Sequence, residues 1–301
     1  MAVVLSGDFN PDQAIKIIST EGAGQTFIDP SMPNGDYVME SWDAYRTTCF
    51  IADAGNSYEI SPGAYTSHQG GNVTLRGFTL QNALSFSSYE TTAGGGVCGG
   101  VIEDCVIRNN TVLMGGGAAY ATLRRCVLTG NKATIGTAAY CCELENCTVV
   151  GNSEATDSLL MTYYSYNTEG QEDRERGVAV SGGSSIADSI VVGNYTKDGE
   201  EYNYYAGGTY GRYVGNSYSS IAIISSNVVV NGSCTSPLAA GEGNICADPC
   251  FMDAANGDFR LRSGSPCAAL GIGAIDYDTS WDALAEASGA EELHWGCPTE
   301  S

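Results

Sequence analysis

Residues 102–152 read IEDCVIRNNTVLMGGGAAYATLRRCVLTGNKATIGTAAYCCELENCTVVGN, and the fold follows from this stretch. Cys105, Cys126 and Cys147 stand 21 residues apart, as do Asn110, Asn131 and Asn152. Ile102, Leu123 and Leu144 make a third row with the same period, and Ile107, Leu128 and Val149 a fourth. Two periods further on, Ser189, Asn194, Ile186 and Val191 continue the four rows. Glycine-rich partners recur in step: GGGVC from Gly94, GGGAAYA from Gly115 and GTAAYCC from Gly136. NVTLRGFTLQN, residues 72–82, is an earlier, shifted copy.

Each repeat holds a short run such as CVIRN, CVLTGN, CTVVGN or SIVVGN, with apolar residues at the strand period of two. Glycine and asparagine bound the runs, which are too short for helices. A repeat this small cannot bury its own apolar face and must stack on its neighbours. Short strands stacked about 4.8 Å apart make a parallel β-helix. The expectation is therefore an all-β, single-stranded solenoid with coils of about 21 residues.

Row by row, Ile102, Cys105 and Ile107 should point inward, with Glu103-Asp104, Arg124-Arg125, Glu145-Asn146 and Ala187-Asp188 at one corner. Alternating charges on that corner form an exposed ion-pair ladder worth about 0–1 kcal/mol per pair. Asn110, Asn131, Asn152 and Asn194 should close the strand, taking the left-handed conformation of a sharp turn and bonding to one another. Ligand contact is the competing reading of these asparagines, and the structural ladder is preferred. Cys105, Cys126 and Cys147 read as small buried hydrophobes. A straight row does not converge on a metal, and stacked β-carbons are slightly too far apart for an easy disulfide.

Composition narrows the function classes. Of 301 residues, 13 are basic and 35 acidic, for a net charge of −22. Nucleic acid, which needs a basic surface, is not expected as a partner, nor is a polybasic membrane contact. At 43% hydrophobic the chain is not a disordered acidic tail, yet it has no apolar run of membrane-spanning length, so no membrane insertion is expected in this segment. The opening MAVVLSGDFNPDQ does not read as a signal peptide, which suggests a piece of a longer protein. Twelve cysteines include no C-x-x-C, and only His68 and His294 accompany them, so a zinc module is not expected.

The run IEDCVIRNNTVLMGGGAAY and its copies resemble the right-handed parallel β-helix repeats of bacterial surface proteins, which belong to the pectin-lyase-like fold. GNICADPCFMDAANGDFRLRSGSPCAALG, residues 243–271, resembles the terminal segment of β-helix proteins that end in a short anchoring region of the "choice-of-anchor" type. Its matching pieces are Gly243 to Phe251, Gly257 to Leu261 and Gly264 to Pro266. The opening AIKIISTEGAGQTFID resembles the first coils of such proteins. The resemblance implies a right-handed helix over residues 1–271 and an extracellular or cell-surface location. It says little about activity, because the fold hosts lyases, hydrolases, adhesins and scaffolds. Residues 272–301 depart from the pattern as a tail, where Ala283, Leu284, Ala287 and Ala290 suit a short helix over Asp282–Leu293.

Two insertions break the repeat, at about 153–177 and 195–217. As a further coil, the first would place Ser165, Thr168 and Gly170 inward; none is apolar, so a loop is expected. Both insertions should leave the helix at the same edge, just after the asparagine row. From Tyr163 to Tyr218 they carry ten of the 18 tyrosines, with acidic neighbours. Tyrosine joins a rigid apolar ring to a polar tip, which suits recognition. Tyr163, Tyr164, Tyr166, Tyr202, Tyr204, Tyr205 and Tyr210 are therefore candidate ligand-binding residues for a glycan or a surface protein. Packing of the two loops against each other and the coil is the competing reading. No G-H-G, no paired Asp-Asp and no R-x-P-x-x-R of the fold's pectinases is present, and no motif indicates calcium or another cofactor. A noncatalytic binding domain is thus the first expectation. A polysaccharide lyase or glycoside hydrolase, the latter needing two facing carboxylates, is the alternative.

Overall fold

A computed structural model describes residues 15–31, 44–45, 48–52, 73–87, 93–155, 176–205, 209–213, 221–225 and 228–274. The chain winds as a right-handed parallel β-helix with four walls. The coil from Val101 onward shows how one turn is built. Val101–Glu103 lies in the first wall, Val106–Arg108 in the second, Thr111–Val112 in the third and Ala118–Ala119 in the fourth. Thr122–Arg124 then returns to the first wall one coil on.

The first wall has seven strands, from Ile15–Ile18 to Val229–Asn231, and the second has seven, from Phe27–Ile28 to Cys234–Thr235. The third and fourth walls have five strands each. Pairing is parallel throughout, except that Ala44–Tyr45 runs antiparallel at one edge of the third wall. Register follows the sequence rows: Leu123 lies between Ile102 and Leu144, and Leu128 between Ile107 and Val149. Leu144 then pairs with Ile186, so 42 residues separate neighbours at that step and the first insertion adds no rung.

Left-handed residues mark the corners. Asp104, Arg125, Asn146 and Asp188 (φ 49–51°) turn the chain from the first wall to the second. Asn82, Asn109, Gly130, Gly151 and Gly193 turn it from the second to the third. Gly94, Gly115, Gly136 and Gly177 lead into the fourth wall, and Gly99, Tyr120, Cys141 and Gly182 lead out of it. The expectation for the asparagine row needs correcting here. The left-handed residue is the one before each ladder asparagine, because the ladder residue must keep its side chain inside.

The core is a column of stacked rows. Leu75, Ile102, Leu123, Leu144 and Ile186 face Leu80, Ile107, Leu128, Val149 and Val191 across the tube, all buried. Ala118, Ala139 and Val180 close it from the fourth wall. Glycine at the third corner leaves room for what lies behind. A β-carbon on Gly96 would stand 2.9 Å from Asn110 Nδ2, and one on Gly117 3.1 Å from Asn131 Nδ2.

The coils end earlier than residue 271. Beyond Thr235, Ala239 plugs the core and is 5% exposed. Ile245 makes one bridge to Cys234. The chain then packs on the outer side of the second wall, where Val106, Val127, Val150, Ile190 and Val192 form an apolar cluster with Phe251, Phe259, Cys267 and Ile272. This strap holds an antiparallel pair, Phe251–Asp253 with Asp258–Leu261, and the helix Pro266–Leu270. Ser265 caps the helix and its hydroxyl donates to Pro249 O at 2.7 Å. Gly273 N and Ala274 N bond back to Asp188 O and Thr148 Oγ1. The helix expected over Asp282–Leu293 lies outside the described residues.

Candidate functional site

Four asparagines form the ladder that the sequence rows predict. Asn131 Oδ1 accepts from both Asn110 N (3.1 Å) and Asn110 Nδ2 (3.0 Å). Asn152 Oδ1 does the same for Asn131, and Asn194 Oδ1 for Asn152. Each Nδ2 also donates to a carbonyl of the previous coil: Leu80 O, Ile107 O, Leu128 O and Val149 O in turn. All four side chains are buried at 0% exposure with their donors and acceptors used, which leaves none for a ligand. The expected reading of this row as structural therefore holds.

The ladder has a fifth rung that no period announces. Asn203 lies nine residues after Asn194, yet Asn203 Oδ1 accepts from Asn194 N (3.1 Å) and Nδ2 (2.8 Å) as the regular rungs do. The chain reverses between them. Tyr195 bridges Ser153 and then Glu201, with a turn closed by Thr196 and Gly199. Glu201 Oε1 accepts from Gly193 N and Asn203 Nδ2, which also donates to Ser236 O. A loop thus supplies the terminal side chain of the ladder. Its only sequence trace is an asparagine next to tyrosines.

The cysteine row is also buried. Cys105 and Cys126 donate to Glu103 O (3.1 Å) and Ile102 O (3.4 Å), and Cys147 to Leu123 O (3.4 Å). Burial pushes the Cys105 thiol up to about 12. Ser189 continues the row, its hydroxyl accepting from Cys147 N, and Ser233 continues it again by accepting from Ser189 N. Asn244, within the motif GNICADPCF, closes it by accepting from Ser233 N (3.0 Å). The family-like segment therefore opens with an end cap. Among the described residues ten cysteines are outside disulfides and Cys246 is disulfide-bonded.

The candidate tyrosines divide. Tyr205 lies inside the wall at 2% exposure, so its ring belongs to packing and not to an exposed binding surface. Tyr204 pairs with Val180 in the fourth wall, packs against the core and reaches Pro237 O at 3.4 Å. Tyr202 and Tyr195 are half-exposed, at the edge where Lys197 to Glu201 face solvent. Burial, then the nearby Glu201 carboxylate, raise the Tyr195 phenol above its ordinary range. Tyr210 lies in the strand Thr209–Tyr213, which pairs antiparallel with Ile221–Ser225. Tyr163, Tyr164 and Tyr166 lie outside the described residues. Residues 195–205 are therefore wall as much as insertion, because one strand position and one ladder rung depend on them.

The corner charges are spent on one another. Asp104 takes Arg76 (2.6 Å) and Arg125 (2.7 Å), while Arg124 lies 3.1 Å from Glu145 and 3.6 Å from Glu103. Among the described residues Glu154 is the buried carboxylate, held by Arg176 at 2.5 Å and by Lys197 N. Among the described residues no group of three His, Cys, Asp or Glu side chains is placed to hold a metal ion. Nor is any described helix long and apolar enough to cross a membrane. No family model, no curated protein and no solved structure matches the chain.

Proposed function

We propose that the chain is a noncatalytic β-helix domain of an extracellular or cell-surface protein, which binds a neutral glycan or a protein partner through its tyrosine-rich edge. One observation carries this reading. The periodic residues are used up by core rows, ladders and corner ion pairs, so chemical variety is left to the segments that interrupt the period. Tyr163, Tyr164, Tyr166, Tyr202 and Tyr210 belong to those segments. Loops on a rigid scaffold are where binding residues concentrate. A net charge of −22 repels anionic polymers unless a cation bridges them, which favours a neutral ligand. Two features support the surface location: the resemblance of residues 243–271 to the end of anchored β-helix proteins, and the disulfide at Cys246, a bond kept in oxidising compartments.

A glycan array with the full chain, combined with an assay for released products, tests the proposal. Binding without product is expected, insensitive to added salt. Replacing the five tyrosines by Ala should abolish binding and leave the melting temperature unchanged. Product release would instead place the domain among carbohydrate-active enzymes. A lowered melting temperature with no ligand found would make the rings packing elements.

A further inference from the structure

We infer that Cys234 and Cys267 form a dithiol that closes into a disulfide, fastening the strap to the second wall. The two thiols come from unlike elements: Cys234 from the last strand of the second wall, Cys267 from the helix Pro266–Leu270. Both are 0% exposed and lie in one apolar cluster with Ile190, Phe251 and Phe259. Neighbouring bonds fix the approach. Cys234 Sγ donates to Ala247 O at 3.2 Å, so the start of the strap passes over it. Ser265 Oγ donates to Pro249 O at 2.7 Å, which draws the helix start to the same place, and Ser265 Oγ accepts from Cys267 N. The two side chains are hydrogen-bonded, thiol to thiol. That bond holds the pKa of Cys234 below the ordinary thiol value and pushes that of Cys267 up, so Cys234 supplies the thiolate.

The stacked Cys126 and Cys147 also share a thiol-to-thiol bond, but their setting, with Cys105, is different. The three immediately precede successive strands of the second wall, Val106–Arg108, Val127–Thr129 and Thr148–Val150, at a spacing that disfavours a disulfide between neighbours. Cys234 and Cys267 meet across two layers, where the helix can shift without breaking a ladder.

The oxidant is a small-molecule disulfide such as oxidised glutathione. The Cys234 thiolate attacks one of its sulfurs and expels a glutathione thiolate. Cys267, deprotonated, then attacks the mixed disulfide at Cys234 and expels a second. Two thiols are oxidised, one external disulfide is reduced, and two protons leave. Because both sulfurs are buried, the strap must lift for the first step. Oxidation should be slow in the folded chain and fast when the strap is loosened.

The test is a disulfide map of the full chain, purified reduced and exposed to oxidised glutathione in low urea. Remaining thiols are then blocked and the chain digested without reductant. The expected product is a peptide pair joining Cys234 to Cys267, absent from Cys267→Ser while that variant keeps the wild-type far-ultraviolet spectrum. The oxidised wild type should resist proteolysis between residues 246 and 274 more than the reduced form, and Cys267→Ser should show no such gain. If both thiols of the folded chain are alkylated instead, or if nearby Cys250 is the partner of either one, the inference is overturned.

Discussion

At the scale of single residues, the buried polar groups mark what the fold depends on. Asn131→Ala removes one acceptor shared by two donors of Asn110 and one donor to Ile107 O. A loss of about 1–3 kcal/mol is expected in urea denaturation, the cost of stranding buried partners. Asn203→Ala should cost a similar amount although it lies within an insertion, since it completes the same ladder. No loss for Asn203→Ala would mean that the loop rung is dispensable. Asp29 offers a test by pH. Burial alone would raise its pKa, but bonds from Ser31, Gln81 and Asn82 together hold it below the ordinary carboxylate value. A carboxylate lowered in the folded state stabilises above its unfolded value, near 3.9, and loses that contribution as pH falls through the lower folded value. The stability gap between wild type and Asp29→Asn should therefore shrink on acidification through that window. A gap independent of pH would show that Asp29 does not titrate as described.

At the scale of elements, the corner glycines answer to a side chain from another wall. The GGG of GGGVC reads in sequence as a turn signal. In the structure its last member, Gly96, makes room for Asn110 and Ile107, whose nearest atoms a β-carbon would meet at 2.9 and 2.5 Å. Gly96→Ala should destabilise by about 1–3 kcal/mol through overpacking, whereas Ser185→Ala on the exposed side of the first wall should change stability by less than about 0.5 kcal/mol. Equal effects would contradict the close approach. This pair also shows what was legible in advance. Rows, walls and the asparagine ladder could be found because each recurs at a fixed spacing. Asn203, Asn244 and the strap could not, because each acts once: Asn203 after a chain reversal, Asn244 at the end of the solenoid, and the strap against the outer side of a wall. The second wall's outward Val106, Val127 and Ile190 carry a signal for that cover, since alternation there should have placed polar residues. Tyr205 went astray for a related reason: composition marks a tyrosine cluster, and only pairing with Val180 O shows that this member turns inward.

At the scale of the whole molecule, residues in register build the stacked walls, and the interruptions lend them single positions, as Asn203 and Tyr204 do. That division is what assigns recognition to the edge tyrosines and stability to everything in register. It requires that the segment between Asn152 and Val178 contribute no coil. Thr74, Val101, Thr122, Glu143 and Ser185 occupy one outward row on consecutive rungs of the first wall. Four rungs of about 4.8 Å place Thr74 and Ser185 about 19 Å apart between backbones, although 111 residues separate them in sequence. A dipolar distance measurement between spin labels at these two positions tests the stack most directly. A single narrow distribution centred near 19 Å is the expected result. A centre near 24 Å, the value for one further coil, or a broad distribution would contradict it.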